Sequence, residues 1–305
     1  MPVIVNPVSG PDRPILRVLN DAFRAAGVDW DIHLTKRTGD AGDLARRLAE
    51  EGAELIAICG GDGTLKEVAA SLAGTGVPLA LLPGGTGNAM AAELGIPLDM
   101  AQAVALACAE TRTLRAIDLG RIGERLFILR ASMGFETELL QGTDRRLKNQ
   151  WGVLAYPLTA LHKIGGMSPA RYHITVDGDE YEAEGVQCTI ANSAQMGFAG
   201  LLLAQGASVS DGLLDVIVLT SVDFLTLATI ATSNLAQEDL GLDVQHWHGR
   251  EIRVVAEPPQ AIAIGGDIIG RTPAEAHVLP AAINIVVPSA APEPEVPSVR
   301  PFGTV

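Results

Sequence analysis

Positive charge, aromatic residues, cysteine and long apolar runs are all scarce in this chain of 305 residues. Lysine and arginine number 22 against 36 aspartates and glutamates, giving a net charge of -14. Such a field repels phosphate backbones and anionic surfaces, which makes the chain a poor non-specific binder of nucleic acid or of anionic membrane. Aromatic residues make up 4% of the chain, too few for the platforms on which unpaired bases stack. The three cysteines, Cys59, Cys108 and Cys188, lack zinc-ligand spacing and are odd in number, so they read as reduced, buried thiols. The nearest approach to a membrane span, Phe224 to Ala236, is short and contains Thr, Ser and Asn. The first candidate strand begins at Val3, which leaves no room for a signal peptide and makes a cytoplasmic protein the expectation.

What is present is a globular balance, with 48% hydrophobic and 19% charged residues and a mean hydropathy of +0.25. The length suggests about two domains. The first part alternates strand and helix: strands at Val3–Asn6, Val28–Leu34, Leu55–Cys59 and Val77–Leu82, with helices after Pro14 and at Ala41–Glu51, Thr64–Ala73 and Asn88–Leu94. Gly27, Gly52 and Gly95 stand where helices should stop. Repeated units of this kind predict a parallel, doubly wound sheet. After a helix around Met100–Glu110 the pattern becomes β-rich. Strands are expected at Arg115–Ile122, Leu126–Ala131, Tyr172–Val176, Val186–Ala191, Leu214–Leu219, Ile252–Val255, Ala261–Ile264 and Ile283–Val287. Two helices are expected near 145–163 and 223–237. The expected division is therefore an α/β domain over 1–117, a β domain over 118–288 and a Pro/Ala-rich tail over 289–305.

Two glycine-rich turns carry the chemistry. Gly60-Gly61-Asp62-Gly63-Thr64 follows a buried strand and opens a helix. There the backbone can approach a ligand closely, and the helix N-terminus offers free N–H groups and a positive dipole end. Thr64 and Glu67 also fit a Thr-x-x-Glu capping box, so the turn alone reads equally as a well-capped strand-to-helix corner. Asp62 tips the balance. A carboxylate among phosphate-binding amides repels the ligand unless a divalent cation sits between them, which is how Mg²⁺ is usually held. Neither a Walker A loop nor G-x-G-x-x-G is present, since Lys66 stands at the last glycine position. The second turn, Pro83-Gly84-Gly85-Thr86-Gly87-Asn88, repeats the strand-to-helix setting, and both turns fall on the ligand-binding edge of a parallel sheet.

These runs, with Asn6-Pro7-x-Ser9-Gly10, Ile117-Asp118-Leu119-Gly120, Asn192, Ser210-Asp211-Gly212-Leu213-Leu214-Asp215 and Leu279-Pro280, resemble the diacylglycerol kinase catalytic family, which includes bacterial lipid kinases and sphingosine kinases. The resemblance spans nearly the whole chain. It implies a nucleotide domain like that of phosphofructokinases and NAD kinases, followed by a β-sandwich. It implies an ATP- and Mg²⁺-dependent kinase that phosphorylates the hydroxyl of a diacylglycerol-like or long-chain-base lipid between the domains. Asn6, Thr35, Gly61, Asp62, Gly63, Thr64, Leu65, Lys66, Glu67 and Thr86 would contact the nucleotide. Asp211, with the carbonyls of Ser208 and Leu213, would hold a structural Mg²⁺. Asp267 would be the general base, projecting between the Ala261–Ile264 strand and a turn at Ile269-Gly270. The lipid would come from a membrane or a carrier, with transient peripheral membrane contact and no nucleic acid partner, and the chain could pair as a homodimer.

Three positions depart from the family pattern. Asp267 stands in Gly265-Gly266-Asp267 where relatives have Glu, Lys66 where they have Asn, and Ala89 where many have Asp. A kinase for a soluble acceptor such as a nucleotide, or a binding protein without catalysis, are the competing readings. The mixed basic and aromatic segment Arg145, Arg146, Lys148, Trp151, Tyr156 reads as an ordinary helix rather than a membrane-surface one. His246 and His248 flank Trp247, but the sequence offers no evident third ligand, so no metal is expected there.

Overall fold

The computed structural model describes residues 1–11, 14–137, 169–193, 207–220 and 244–289. The expected helices near 145–163 and 223–237, the Arg145–Tyr156 segment and all but the first residue of the tail lie outside these residues. The N-terminal part runs β1 (Pro2–Val5), α1 (Ile15–Ala26), β2 (Asp31–Leu34), α2 (Asp40–Glu50), β3 (Ile56–Gly60), α3 (Asp62–Leu72), β4 (Leu79–Pro83), α4 (Ala89–Glu93) and α5 (Met100–Ala107). The strands order β2-β1-β3-β4, all parallel. β3 and β4 are buried along their whole length, which is why they read as continuous apolar runs. Gly27 ends α1 in the left-handed conformation, φ 67°. β2 departs from expectation: its Ile32 and Leu34 are exposed, because β2 is the outer edge of the sheet.

The second part comprises β5 (Thr113–Ile122), β6 (Arg125–Phe127), β7 (Arg130–Gly134), β8 (Ala170–Val176), β9 (Asp179–Gly185), β10 (Gln187–Ala191), β11 (Leu214–Leu219), β12 (Val244–Gly249), β13 (Glu251–Glu257), β14 (Ala261–Ile264), β15 (Asp267–Arg271) and β16 (Ala274–Val287). The single strand expected at Leu126–Ala131 is two, β6 and β7, parted at Ile128 and Leu129. Six strands, β12-β11-β10-β7-β14-β15, form an antiparallel sheet. It packs on β8, β13 and the first half of β16 through Met133, Tyr172, Ile190, Val216, Val254 and their neighbours, giving the sandwich core.

β16 belongs to both parts. Its early residues pair with β13, and Ile285 pairs with Leu79 of β4. β5 lies along it antiparallel on both sides of a register shift between Leu279 and Ile283. Pro280, which has no N–H to donate, falls in that bulge. One ten-stranded mixed sheet therefore runs from the α/β part into the sandwich. No helix among the described residues is long and apolar enough to cross a membrane.

Candidate active site

Parallel pairing of β3 with β4 delivers both glycine-rich turns to one edge of the sheet. The turns touch. Gly84 N donates to Gly60 O at 2.9 Å, and any side chain on Gly85 would collide with the Gly61 backbone. Only glycine lets the two chains pass this closely. From the end of β1, Asn6 donates its Nδ2 to Thr64 Oγ1 at 3.1 Å, and Gly10, at φ 73°, lies against the Gly84 carbonyl. Thr35, whose N–H reaches Val5 O at 3.0 Å, stands beside Asn6 at the adjoining strand end. Gly63 and Thr86 are exposed on the two turns.

The capping box expected of Thr64 and Glu67 does not form. The helix starts two residues earlier, with Gly61 as its N-cap and Asp62 as its first residue, and the Thr64 hydroxyl is engaged by Asn6. Leu65 is also placed differently: its side chain is buried in the core and its N–H goes to Gly61 O at 3.0 Å. The amides of Asp62, Gly63 and Thr64 open α3, where helical N–H groups have no acceptor within the helix.

Asp62 has a structural partner that the sequence did not disclose. Its carboxylate accepts the N–H of Ala89 at 3.2 Å and of Met90 at 3.5 Å, the first residues of α4. It thus caps the helix that follows the other turn. Asn88 closes that turn on itself, at φ 50°, accepting from Gly85 N and donating to Gly85 O, both at 2.9 Å. A carboxylate offers roughly four lone-pair directions, so Asp62 keeps capacity for a cation. Gly60, Gly61, Asp62, Pro83 and Asn88 line an open cleft whose remaining walls are apolar, Ile58 and Leu65 among them.

Asp267 comes from the sandwich. The β14–β15 hairpin turns at Gly265-Gly266, both at positive φ, and Asp267 is the first residue after the turn. Ile269-Gly270, expected as a turn, lies within β15. The Asp267 carboxylate meets Lys66 Nζ of α3 at 2.7 Å, and the same ammonium donates to Ile264 O at 3.4 Å. Two of the three departures from the family pattern are therefore in direct contact.

Asp211 lies on a separate turn leading into β11, where its Oδ1 accepts from Leu213 N at 3.0 Å. Burial raises its carboxyl above the usual range, against the Leu213 N–H, and the carboxylates of Asp215 and Asp118 push it further up. Ser208 is buried on the same turn, its Oγ accepting from Ser210 N at 3.3 Å. A surplus of carboxylate beside backbone oxygens is the donor chemistry a hard divalent cation takes, so these residues fit one. Asp118, at the expected domain boundary and within the Ile117–Gly120 run, is a buried anchor: it accepts from Gly212 N at 2.6 Å and Ala281 N at 2.7 Å. Asn192, fully buried, donates to Asp118 O and Ile128 O at 2.8 and 2.9 Å. An aspartate inside the apolar run Ile117-Asp118-Leu119 was the available signal for this anchor.

Comparison with known proteins matches this architecture part by part. Residues 1–122 match the diacylglycerol kinase catalytic domain, and residues 130–287 the YegS C-terminal NAD kinase beta sandwich-like domain. The "Probable lipid kinase YegS-like" protein of Pseudomonas fluorescens is 32% identical over 91% of this chain and 92% of its own. The Synechocystis sp. protein sll0036 is 34% identical over 82% of this chain, which spans 60% of that relative's length. The crystal structure of a candidate diacylglycerol kinase from Bacillus anthracis superposes with a TM-score of 0.78 at 26% identity, covering 95% of both chains. An α/β layer with paired glycine turns, joined to this sandwich, defines a kinase of the lipid-kinase class. The chain belongs to the diacylglycerol kinase catalytic-domain family, among its YegS-like lipid kinases.

Proposed function

We propose that this protein transfers the γ-phosphate of ATP to the hydroxyl of a diacylglycerol-like or long-chain-base lipid. The observation that carries the reading is the Asp267–Lys66 contact, which brings a carboxylate of the sandwich to the helix opened by the first glycine turn. Phosphoryl transfer asks a protein mainly for positioning and charge neutralisation. The amides at the start of α3 and the Gly84–Gly85 turn hold the phosphate chain. A Mg²⁺ ion held at Asp62 would offset charge on the β- and γ-phosphates. Asp267 takes the proton of the acceptor hydroxyl, and Lys66 holds that carboxylate in place until the acceptor arrives. General-base help of this kind contributes about 10²–10⁴-fold. The acidic surface argues for brief contact with a membrane, or delivery by a carrier, rather than stable adsorption.

The test is transfer of labelled γ-phosphate across a panel of diacylglycerols, long-chain bases and soluble acceptors, with Mg²⁺ present. Label in a chloroform-extractable product supports the reading. Label confined to nucleotides or inorganic phosphate overturns the lipid assignment.

A further inference from the structure

At the β12 edge of the antiparallel sheet the structure gathers three potential ligands that the sequence scatters. Trp247 turns toward the sandwich core and meets the Tyr181 ring at 5.4 Å between centroids. Alternation along a strand then sends His246 and His248 to the opposite face, which is where the sequence left them without a third partner. The third partner is Asp215. It lies directly across from His248 in the β11–β12 ladder, and its Oδ1 is 2.6 Å from His246 Nε2. The ligand atoms of Asp215, His246 and His248 all fall within 4.8 Å of one another.

Burial makes the grouping chemically directed. The Asp215 side chain is 5% exposed, while His246 and His248 lie on an outer strand open to solvent. Among the described residues His246 is the hydrogen-bond partner of the buried carboxylate, and the His248 ring, 6.1 Å from that of His246, makes no side-chain hydrogen bond or ion pair. A second imidazole converging on an already paired carboxylate adds nothing to an ion pair, but it completes a ligand set. We propose that Asp215, His246 and His248 bind a first-row divalent transition cation, with Zn²⁺ and Co²⁺ the expected ions.

Two imidazoles and one carboxylate suit borderline cations, whereas Mg²⁺ prefers oxygen alone. Three protein ligands leave a fourth position for water. Bonds of about 2.0–2.2 Å place tetrahedral ligand atoms roughly 3.3 Å apart. The His246–Asp215 pair therefore opens slightly as the ion enters, and the Nε2 atom that takes the metal gives up any proton it carries, to Nδ1 in a neutral ring or to solvent in a charged one. The site is distinct from the proposed phosphotransfer site: β11 and β14 are three strand spacings apart, about 14 Å. It does not use the Asp211 carboxylate, which is directed at Leu213 N, although the charge of Asp215 is felt at that turn. Bound there, the ion would join the outer strand to β11.

The experiment uses the full chain, stripped with chelator and titrated with Co²⁺. The expected result is one tightly bound equivalent with the visible d–d bands of nitrogen-ligated, low-coordinate cobalt, displaced by Zn²⁺ but not by Mg²⁺. His246→Gln and His248→Gln should each weaken Co²⁺ binding by at least about 100-fold, judged against the 10–100-fold lost with an outer-shell partner. Both replace exposed residues, and circular dichroism checks that each variant is folded. Asp211→Ala should keep the bands. Absence of the bands in the parent, or equal binding by the double variant His246→Gln/His248→Gln, overturns the site. Loss of lipid phosphorylation with the cobalt bands intact would count against the kinase reading and leave the metal site standing.

Discussion

Lys66 Nζ of the α/β part lies 2.7 Å from Asp267 Oδ2 of the sandwich, 201 residues further along the chain. The pair is partly open to solvent, with side chains 22% and 56% exposed, so its role is placement more than stability. The shorter Asp is met by a long lysine.

The first expected outcome concerns that carboxylate. Asp267→Asn should lower kcat by about 10²-fold or more with little change in ATP affinity, and Asp267→Glu should retain activity. Lys66→Met should change unfolding free energy by no more than about 1 kcal/mol. Steady-state kinetics with a competent lipid, beside ATP binding, checks the first pair. An Asn variant with unchanged kcat, where chemistry limits the rate, would move the base elsewhere.

Asp62 carries two roles that two substitutions separate. Asp62→Ala should abolish turnover and also cost about 1 kcal/mol, because it uncaps α4. Asp62→Asn keeps an acceptor for the Ala89 N–H, so it should lose less stability but still fail to turn over. Urea unfolding beside a turnover assay reads both effects. Normal turnover by the Asn variant with unaltered Mg²⁺ dependence would sink the cation assignment at this residue.

For Asp118 the expectation is structural. Asp118→Asn leaves one of the Gly212 and Ala281 N–H groups facing an amide donor, and should cost about 2–4 kcal/mol. A loss under about 0.5 kcal/mol in chemical denaturation, within the range of ordinary surface changes, would contradict the anchor.

At Asp211, Mg²⁺ should raise the melting temperature of the parent protein and leave Asp211→Ala unmoved. Thermal unfolding with and without Mg²⁺ decides it. Equal stabilisation of both proteins removes this turn from the account.

The α/β part was legible because β3 and β4 are buried on both faces and their helices end at glycines, so periodicity and punctuation agree. β9 was missed because its residues Asp179, Glu180, Glu182 and Glu184 look like a solvated loop; it is an edge strand with one face in water. β12 was missed because Gln245 breaks the apolar pattern on the Trp247 face and the opposite face carries His246 and His248. The second role of Asp62 and the contact of Lys66 with Asp267 depend on neighbours far away in sequence, which no local spacing encodes. The third ligand beside His246 and His248 stayed hidden for the same reason, since Asp215 reaches them only through strand pairing.

The double membership of β16 bears on how the chain is assembled during synthesis. The ribosome completes β1 to β4 early, but β4 keeps an unpaired edge until residues near Ile285 have been made. β5 waits too, and along most of its length, since the strand it pairs with over Thr113–Ile122 is translated more than 150 residues later. Open edges of this kind invite pairing with other chains. The nascent nucleotide layer is therefore exposed to mispairing for most of translation, and a chaperone that shields strand edges should raise the yield of native protein more than one that only accelerates collapse.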